Sequence, residues 1–313
     1  MEILKTKNIF TKIIIKISII FGLLMFSYIV YGPIFRNKKI KDFFQNFKRK
    51  HYLDFDTNNQ SESKSNVLSY SLFGNNWDKY GMNVESVAKE AANSSFYKSW
   101  TVRIYHDATS ITPSIAATLT ERYRNLEFFN VSNFANLEII NGMVWRFLVV
   151  ADLNVDVACI RDLDSKLLVR ETDAVKDWLK SGKLVHSMRD NPQHGIPMLG
   201  GMWCFRNELK RELGIKIAKL CIEKCMHRDP IKHLEANKGD DQYVLNSFVW
   251  PLLSQNVLIH DAYLCQSIAG SKPFPSKRDI SGVFVGQPRG EPGGFIKCPI
   301  ECRPKEHQDW EYC

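Results

Sequence analysis

The sequence lacks a long stripe of lysine and arginine interleaved with aromatic residues, and it contains no internal repeat or long low-complexity tract. The first absence argues against a nucleic-acid partner, because such partners are met by basic residues clustered on one face. The second argues against a repeat solenoid. The formal net charge is +8, but much of the excess lies between Arg36 and Lys50. We therefore interpret the charge as a local property of the N-terminal region and expect no nucleic-acid binding.

The chain has one long apolar run, residues 13–31, and this run contains a single charge at Lys16. A helix of this length measures about 28 Å at ~1.5 Å per residue, which is enough to cross the hydrocarbon core of a bilayer. The run is not followed by the small residues that a signal-peptide cleavage site requires. The sequence therefore predicts an uncleaved transmembrane anchor, and a cleaved signal peptide is the alternative.

Cysteine is absent from the first 158 residues, and all eight cysteines follow the apolar run. Three of them, Cys298, Cys302 and Cys313, lie in a Pro/Gly-rich tail with little capacity for a core, where disulfides would help. Basic residues flank the apolar run on both sides, so charge does not decide its orientation. The cysteines favour an oxidising compartment. We expect a single-pass type II protein of the Golgi or ER membrane with a luminal catalytic domain.

The remaining cysteines carry less information. Cys159 and Cys204 fall in apolar strands and are interpreted as buried free thiols. Cys221 and Cys225 have helical spacing, but no second pair with metal-ligand spacing accompanies them. They therefore do not indicate a zinc site.

Apolar periodicity divides the rest of the chain into alternating strands and helices. The predicted strands are 67–73, 100–106, 126–131, 155–160, 184–188 and 198–205. The predicted helices are 83–92, 113–123, 143–150, 172–180, 210–225 and 241–253. This alternation predicts an α/β, Rossmann-type, mostly parallel sheet with helices on both faces. The predicted organisation is a cytoplasmic tail (1–12), the anchor (13–31), a stem (32–66), a catalytic domain (67–290) and a cysteine-containing tail (291–313).

Two carboxylates follow the most apolar strand. The run 155–160 ends at Arg161, and Asp162 and Asp164 come next. Open α/β sheets bind ligands at the carboxyl ends of their strands. Paired carboxylates there suit a hard divalent cation that is shared with substrate phosphates. A pair of solvated turn residues that cap the next segment is the alternative.

These residues carry a family resemblance. The segments are Trp145-Arg146-Phe147-Leu148, Asn154-Val155-Asp156, Arg161-Asp162-Leu163-Asp164, Asp241-Gln242-Tyr243-Val244-Leu245-Asn246, His260 and Gly270-Ser271-Lys272-Pro273-Phe274. Together they resemble the core of GT-A-fold nucleotide-sugar glycosyltransferases, in the style of the retaining family that includes glycogenin. The resemblance covers residues 67–285. Phe274 replaces the usual Trp, Arg161 replaces a Tyr or Leu, and 188–197 has no counterpart, so the chain is interpreted as a distinct family.

The resemblance implies a metal site and a donor site. Asp162, Asp164 and His260 would hold Mn²⁺ (or Mg²⁺), which bridges the diphosphate of a nucleotide-sugar donor. The donor itself would be contacted by Arg146, Lys272 and Arg278, and approached closely by the loop at Gly74. Each has a plainer alternative: a core histidine, an ion pair of Arg146 with Asp162 or Asp156, surface cations, and a strand-end turn.

A second group of residues would face the transferred sugar. Gly200 and Gly201 permit close backbone approach, and Trp203 offers an apolar face. The alternative is a tight bend with a core Trp. In the resembled family the helix start at Asp241 and Gln242 faces the sugar, so these are the candidate catalytic residues. The acceptor would be a glycan, a glycoprotein or a glycolipid.

Two other functions fit the sequence less closely. Haloacid-dehalogenase-type enzymes also place two aspartates after an apolar strand and use the first as a nucleophile. That motif usually lies on the first strand, whereas at least three predicted strands precede it here. A domain that binds glycans without turnover is the other possibility, because a fold does not fix a function.

Overall fold

The structure is a computed structural model, and it describes residues 65–74, 76–133, 140–226 and 239–313. The predicted tail (1–12), anchor (13–31) and nearly all of the stem (32–66) lie outside the described residues. Within the described ranges, none of the helices combines the length and the apolar character that a membrane span needs.

Seven strands form one sheet. They are β1 (Ser65–Leu72), β2 (Thr101–His106), β3 (Leu126–Asn130), β4 (Val155–Arg161), β5 (Val185–Arg189), β6 (Met202–Arg206) and β7 (Val257–Asp261). Their order across the sheet is β3-β2-β1-β4-β6-β5-β7. All neighbours are parallel except β6, which runs antiparallel to both β4 and β5. The predicted α/β class is confirmed, and the sheet is mixed, with four parallel and two antiparallel pairings.

Helices follow most of these strands, except that β5 leads directly to β6. They are α1 (Trp77–Asn93), α2 (Pro113–Arg122), α3 (Gly142–Trp145), α4 (Val169–Lys180), α5 (Arg211–Met226), α6 (Asp240–Val244) and α7 (Trp250–Leu253). The predicted helix 241–253 contains a π-helical turn, Leu245–Val249, between α6 and α7. Short 3₁₀ segments cover Tyr97–Ser99, Val131–Asn133, Arg146–Ala151, Asn207–Leu209, Ser254–Asn256 and Ile300–Cys302.

Strand alternation decides which side chains face each layer. In β1, Leu68 and Tyr70 point into the core cluster that also holds Val84 and Val87 of α1. Fully burying a side chain such as Val or Leu contributes about 1.5–3 kcal/mol. Ser69 points to the opposite face, because successive side chains in a strand alternate. Its hydroxyl donates to the Arg146 carbonyl at 2.7 Å. This hydrogen bond links the Arg146–Ala151 segment to the face of β1 opposite Leu68 and Tyr70.

Three disulfides are present: Cys159–Cys204, Cys265–Cys302 and Cys298–Cys313. The expected disulfides in the C-terminal tail are confirmed. The interpretation of Cys159 and Cys204 as free thiols is wrong. These residues are directly opposite one another in the antiparallel β4–β6 ladder. The sequence could not reveal this, because the register between two strands 45 residues apart depends on the order of the sheet.

Candidate functional site

A cleft of about 140 Å³ opens at the carboxyl ends of β1 and β4. Asp162 and Asp164 both line it, each half-buried. Because β1 and β4 are parallel, the residues that end β1 reach the same edge of the sheet. The other lining residues are Ser71, Leu72, Phe73, Asn76, Tyr80, Met143, Arg146 and Leu163. The cleft therefore has a charged side and an apolar, aromatic side.

Arg146 joins two carboxylates that are far apart in the sequence. Its backbone N–H donates to the Ser71 hydroxyl at 3.0 Å, which adds to the Ser69 contact. Its guanidinium donates to Asp162 (Nη1–Oδ1, 2.5 Å) and to Asp241 (Nη2–Oδ2, 2.9 Å). The structure therefore forms the alternative ion pair with Asp162, and Arg146 also lines the cleft. A donor contact by Arg146 stays a prediction.

The glycine pair before β6 makes room for these carboxylates. A Cβ at Gly200 would lie within 3.0 Å of the Asp241 carboxylate, and one at Gly201 within 3.0 Å of the Asp162 carboxylate. Contacts this short do not occur for real side chains, so only glycine fits at both positions with the acids where they are. The close approach that the glycines permit is thus to the acidic side chains. Their predicted approach to a sugar stays untested.

Charge at the cleft is unbalanced. Arg146 pairs with Asp162 and Asp241, whereas no ion pair within the described ranges involves Asp164, whose charge Arg146 and Arg289 stabilise only at longer range. Burial raises the pKa of Asp164, and the neighbouring Asp162 charge raises it further. Burial by itself would lower the pKa of Arg146, but Asp162 and Asp241 outweigh it, so the pKa is raised. A bound cation would relieve the repulsion that Asp164 experiences.

Asp241 and Gln242 belong to the same network. They lie in the first turn of α6, which begins at Asp240 directly after Gly239, whose φ of 102° lies in the left-handed region. Asp241 is buried, and its Oδ1 accepts from the Gln242 backbone N–H at 2.8 Å. The Gln242 side-chain oxygen accepts from the Gly200 N–H at 3.1 Å. The helix start is therefore fastened to the glycine pair, and the predicted catalytic roles stay predictions.

Gly74 lies where the prediction needs it. It follows β1 directly after Phe73, which lines the cleft, and its φ is 72°. Its N–H donates to Asp107 Oδ2 at 3.3 Å. The positive φ explains the glycine as a strand-end turn, and the turn borders the cleft.

His260 is not with the two aspartates. It is fully buried in β7, and β6 and β5 lie between β7 and β4. Its ring nitrogens contact His186 (2.7 Å) and Asp177 (3.1 Å). Within the ranges that the structure describes, no three His, Cys, Asp or Glu side chains are grouped as a metal site. The structure therefore does not bring His260 together with the two carboxylates, and metal binding by Asp162 and Asp164 stays a prediction.

Two predicted donor-binding cations also have other partners. Lys272 is exposed and contacts Asp177 at 3.4 Å, beside His260. Arg278 is buried, and its Nη2 donates to Asp190 Oδ1 and to the Asp190 carbonyl, both at 2.8 Å. Neither residue lines the cleft. The structure places Arg278 away from the cleft, in a buried ion pair with Asp190, so Arg278 is corrected to a structural residue.

Trp203 is corrected to a core residue. It is fully buried in β6, where its ring packs edge-to-face against Phe147 at 5.5 Å. It therefore presents no face to a sugar. Sequence reasoning also missed the apolar wall formed by Phe73, Tyr80 and Met143. In the sequence, the one indication of these surroundings is that Ser69 and Ser71 alternate with apolar residues in β1, which indicates polar contacts on one face of that strand.

Comparisons with known proteins give structural likeness only. No protein-family model matches the sequence, and no curated protein matches it. The glycosyltransferase GlyE of Streptococcus pneumoniae TIGR4 superposes with a TM-score of 0.41 and 11% identity, over 63% of this chain and 45% of that one. Mouse xyloside xylosyltransferase 1, apo form, gives a TM-score of 0.37 and 10% identity, over 64% and 85%. Mannosyltransferase PcManGT from Pyrobaculum calidifontis, in complex with GDP-Man and Mn²⁺, gives 0.34 and 16%, over 54% and 52%.

All three solved structures are glycosyltransferases by name. The chain spans about half the length of two of them, 45% and 52%. Because every one of these TM-scores is below 0.5, the function is inferred from the chemistry of the cleft.

Proposed function

We propose that this protein is a glycosyltransferase that moves a sugar from a nucleotide-diphosphate donor to a glycan, glycoprotein or glycolipid acceptor. The observation that carries the proposal is the placement of Asp162 and Asp164 in one cleft at the carboxyl end of β4. A pair of carboxylates with an uncompensated charge beside an apolar wall suits a ligand that combines a cation, a diphosphate and a nucleoside.

The two carboxylates fit Mn²⁺ or Mg²⁺. Such ions are often bound by one or two protein carboxylates and complete their coordination with water and substrate phosphates. A third protein ligand is therefore not required. Both carboxylates offer only oxygen ligands. Gly200 and Gly201 allow the two carboxylates that pair with Arg146, those of Asp241 and Asp162, to lie close to the backbone. When bound, the cation would stabilise the negative charge that develops on the departing nucleotide diphosphate.

The chain's own residues would orient the reaction. Arg146 holds Asp162 and Asp241 at fixed positions on either side of one guanidinium. Asp241 and Gln242 remain the candidates for contact with the sugar, because α6 begins next to the glycine pair. Phe73, Tyr80 and Met143 form the wall against which a nucleoside would pack.

The cellular setting is part of the proposal. We infer a type II protein of the Golgi or ER membrane, anchored by residues 13–31, with its catalytic domain in the lumen. The apolar run supports the anchor, and three disulfides support an oxidising compartment.

The test uses the full chain in detergent with a panel of UDP-, GDP- and CMP-sugars, with Mn²⁺ or with EDTA. Hydrolysis of one donor with Mn²⁺, lost in Asp164→Asn and kept in the exposed-site control Asp309→Asn, is the expected result. Turnover of a generic phosphate ester instead would support the aspartate-based phosphoryl-transfer alternative. Glycan binding without either activity would support the non-catalytic alternative.

A further inference from the structure

A segment from the far end of the chain lies directly against the Asp164 turn. This segment, residues 284–291, is called the strap here. Pro288 forms an isolated antiparallel bridge with Ser165. The Arg289 backbone N–H donates to the Asp164 carbonyl at 2.6 Å. The strap therefore contacts the backbone of a proposed metal ligand although it is more than a hundred residues away in sequence.

Arg289 and Glu90 hold the turn at further points. The Arg289 guanidinium donates to both Glu90 oxygens (2.6 and 2.7 Å) and to the Ser165 carbonyl (2.9 Å). Glu90, on α1, also accepts from the Leu167 N–H at 3.0 Å. The bidentate arginine–glutamate pair thus holds the backbone of the turn at Ser165 and Leu167, and the Arg289 backbone N–H holds it at Asp164. Bidentate pairs of this kind add directional precision as well as energy.

The strap is itself firmly anchored. The Val285 N–H donates to Asp190 Oδ2 at 2.9 Å. Asp190 is fully buried and also paired with Arg170 and Arg278. The Gln287 side chain donates to two carbonyls of the chain that follows, at 3.0 Å each. Arg289 therefore reaches the turn from a support whose position is set by other contacts.

We propose that Arg289, oriented by Glu90, is a positioning residue that fixes the Asp164 turn for cation binding. This inference rests on the proposed function. Arg289 acts through the backbone of the turn, so it needs no contact with substrate. Loss of groups that orient a metal ligand typically costs about 10–100-fold in metal affinity or activity. Arg289→Gln should weaken Mn²⁺ binding by about that factor, and a high Mn²⁺ concentration should restore both kcat and the donor KM.

The chain supplies a matched control at the opposite end of β4. Arg211 pairs with Asp156 (2.5 Å) and donates to the carbonyls of Leu153 (2.7 Å) and Val155 (3.0 Å). It thus makes the same combination of one carboxylate and backbone carbonyls, but away from the cleft. Arg211→Gln should lower stability without changing the affinity for Mn²⁺.

The experiment measures Mn²⁺ binding to the full chain by electron paramagnetic resonance of the free ion, in the presence of UDP or GDP because substrate phosphates complete the proposed coordination, together with thermal unfolding without metal. If the unmodified chain binds no Mn²⁺, the result contradicts the proposed metal-dependent function itself and is thereby distinguished from a failure of the Arg289 inference alone. If it binds Mn²⁺, then equal affinity in Arg289→Gln overturns the inference. An equal loss in Arg211→Gln also overturns it, because the effect would then reflect general destabilisation.

Two further variants keep the inference testable if Arg289→Gln does not fold. Glu90→Gln retains the shape of the partner and removes the charge that orients Arg289. Arg289→Lys keeps the positive charge but cannot make the bidentate pair. Both should bind Mn²⁺ with an affinity between those of the unmodified chain and Arg289→Gln, and unmodified affinity in both would contradict the positioning role.

Discussion

A single methyl group at Gly201 should disrupt the acidic cluster. In Gly201→Ala the new Cβ would lie within 3.0 Å of three atoms of the Asp162 carboxylate, so the side chain or the loop must move. The carboxylate is also held by Arg146 at 2.5 Å, so moving it strains the ion pair. Overpacking of this kind costs typically about 1–3 kcal/mol. We expect a loss of unfolding free energy in that range, accompanied by weaker Mn²⁺ binding.

The control lies in the same loop. Gly195 has no positive φ, and a Cβ there would meet no atom within 4 Å. Gly195→Ala should therefore be within about 0.5 kcal/mol of the unmodified chain, as most surface substitutions are. Urea unfolding of the full chain in detergent, followed by tryptophan fluorescence, measures both variants. Equal stability and equal Mn²⁺ affinity for Gly201→Ala and Gly195→Ala would refute the close approach of Gly201 to Asp162.

Three other substitutions test separate parts of the structure. Arg146→Met leaves Asp162 and Asp241 without their shared partner and should lower the free energy of unfolding in urea by about 3–5 kcal/mol, as breaking a buried ion pair does. A loss smaller than that of a substitution at an exposed site would contradict the pairing. The hydrogen bond from His260 is the main cause that lowers the pKa of Asp177 to about 2. Stability should therefore fall as pH drops from ~4, the unfolded value, towards 2, and Asp177→Asn should flatten this fall; an unchanged pH profile would count against the contact. Removing the Cys159–Cys204 disulfide by a double Ser substitution should lower the free energy of unfolding by about 2–5 kcal/mol. Thiol titration of the unfolded, unreduced chain should find these two cysteines oxidised, and reactive thiols at both positions would contradict the disulfide.

Local periodicity was sufficient to predict most of the fold. The apolar spacing of α1 and the alternating strand β1 are properties of neighbouring residues. The bounds of β1 were predicted to within two residues and the end of α1 to within one, whereas α1 begins six residues before its predicted start. The short strand β7 was missed, because five residues after a helix carry little periodic signal. The antiparallel direction of β6 was missed as well, because strand direction depends on the path of the chain and not on local pattern.

Some residues of the candidate site could likewise be predicted from local sequence, and others could not. Asp162 and Asp164 could be predicted to lie together, because they flank one residue at the end of a strand. Arg146 and Asp241 join them in the structure. The residues that the structure places elsewhere, His260 and Arg278, were assigned from motif spacing across long separations. Their observed partners could not be read from the sequence, since each is a buried polar contact made by the three-dimensional path of the chain.

Arg289 is a residue whose contacts with the Asp164 turn could not be predicted from the sequence. Nothing in the sequence near this residue indicates that it contacts the Asp164 turn, because its contacts with Glu90 and Ser165 span 199 and 124 residues. The predicted boundary between the catalytic domain and the C-terminal tail falls at residue 290, immediately after it. The strap and the disulfide-bonded residues that follow pack together, with Cys298 and Cys313 in one buried cluster with Val285.

The most direct test of the proposed function is nucleotide binding by the full chain, measured by isothermal titration calorimetry with UDP and GDP in the presence and absence of Mn²⁺. We predict binding of one of these nucleotides that requires Mn²⁺, is abolished in Asp164→Asn and is unchanged in Asp309→Asn. Nucleotide binding that survives both EDTA and Asp164→Asn, or no binding of either nucleotide with Mn²⁺, would contradict a metal–diphosphate site in this cleft.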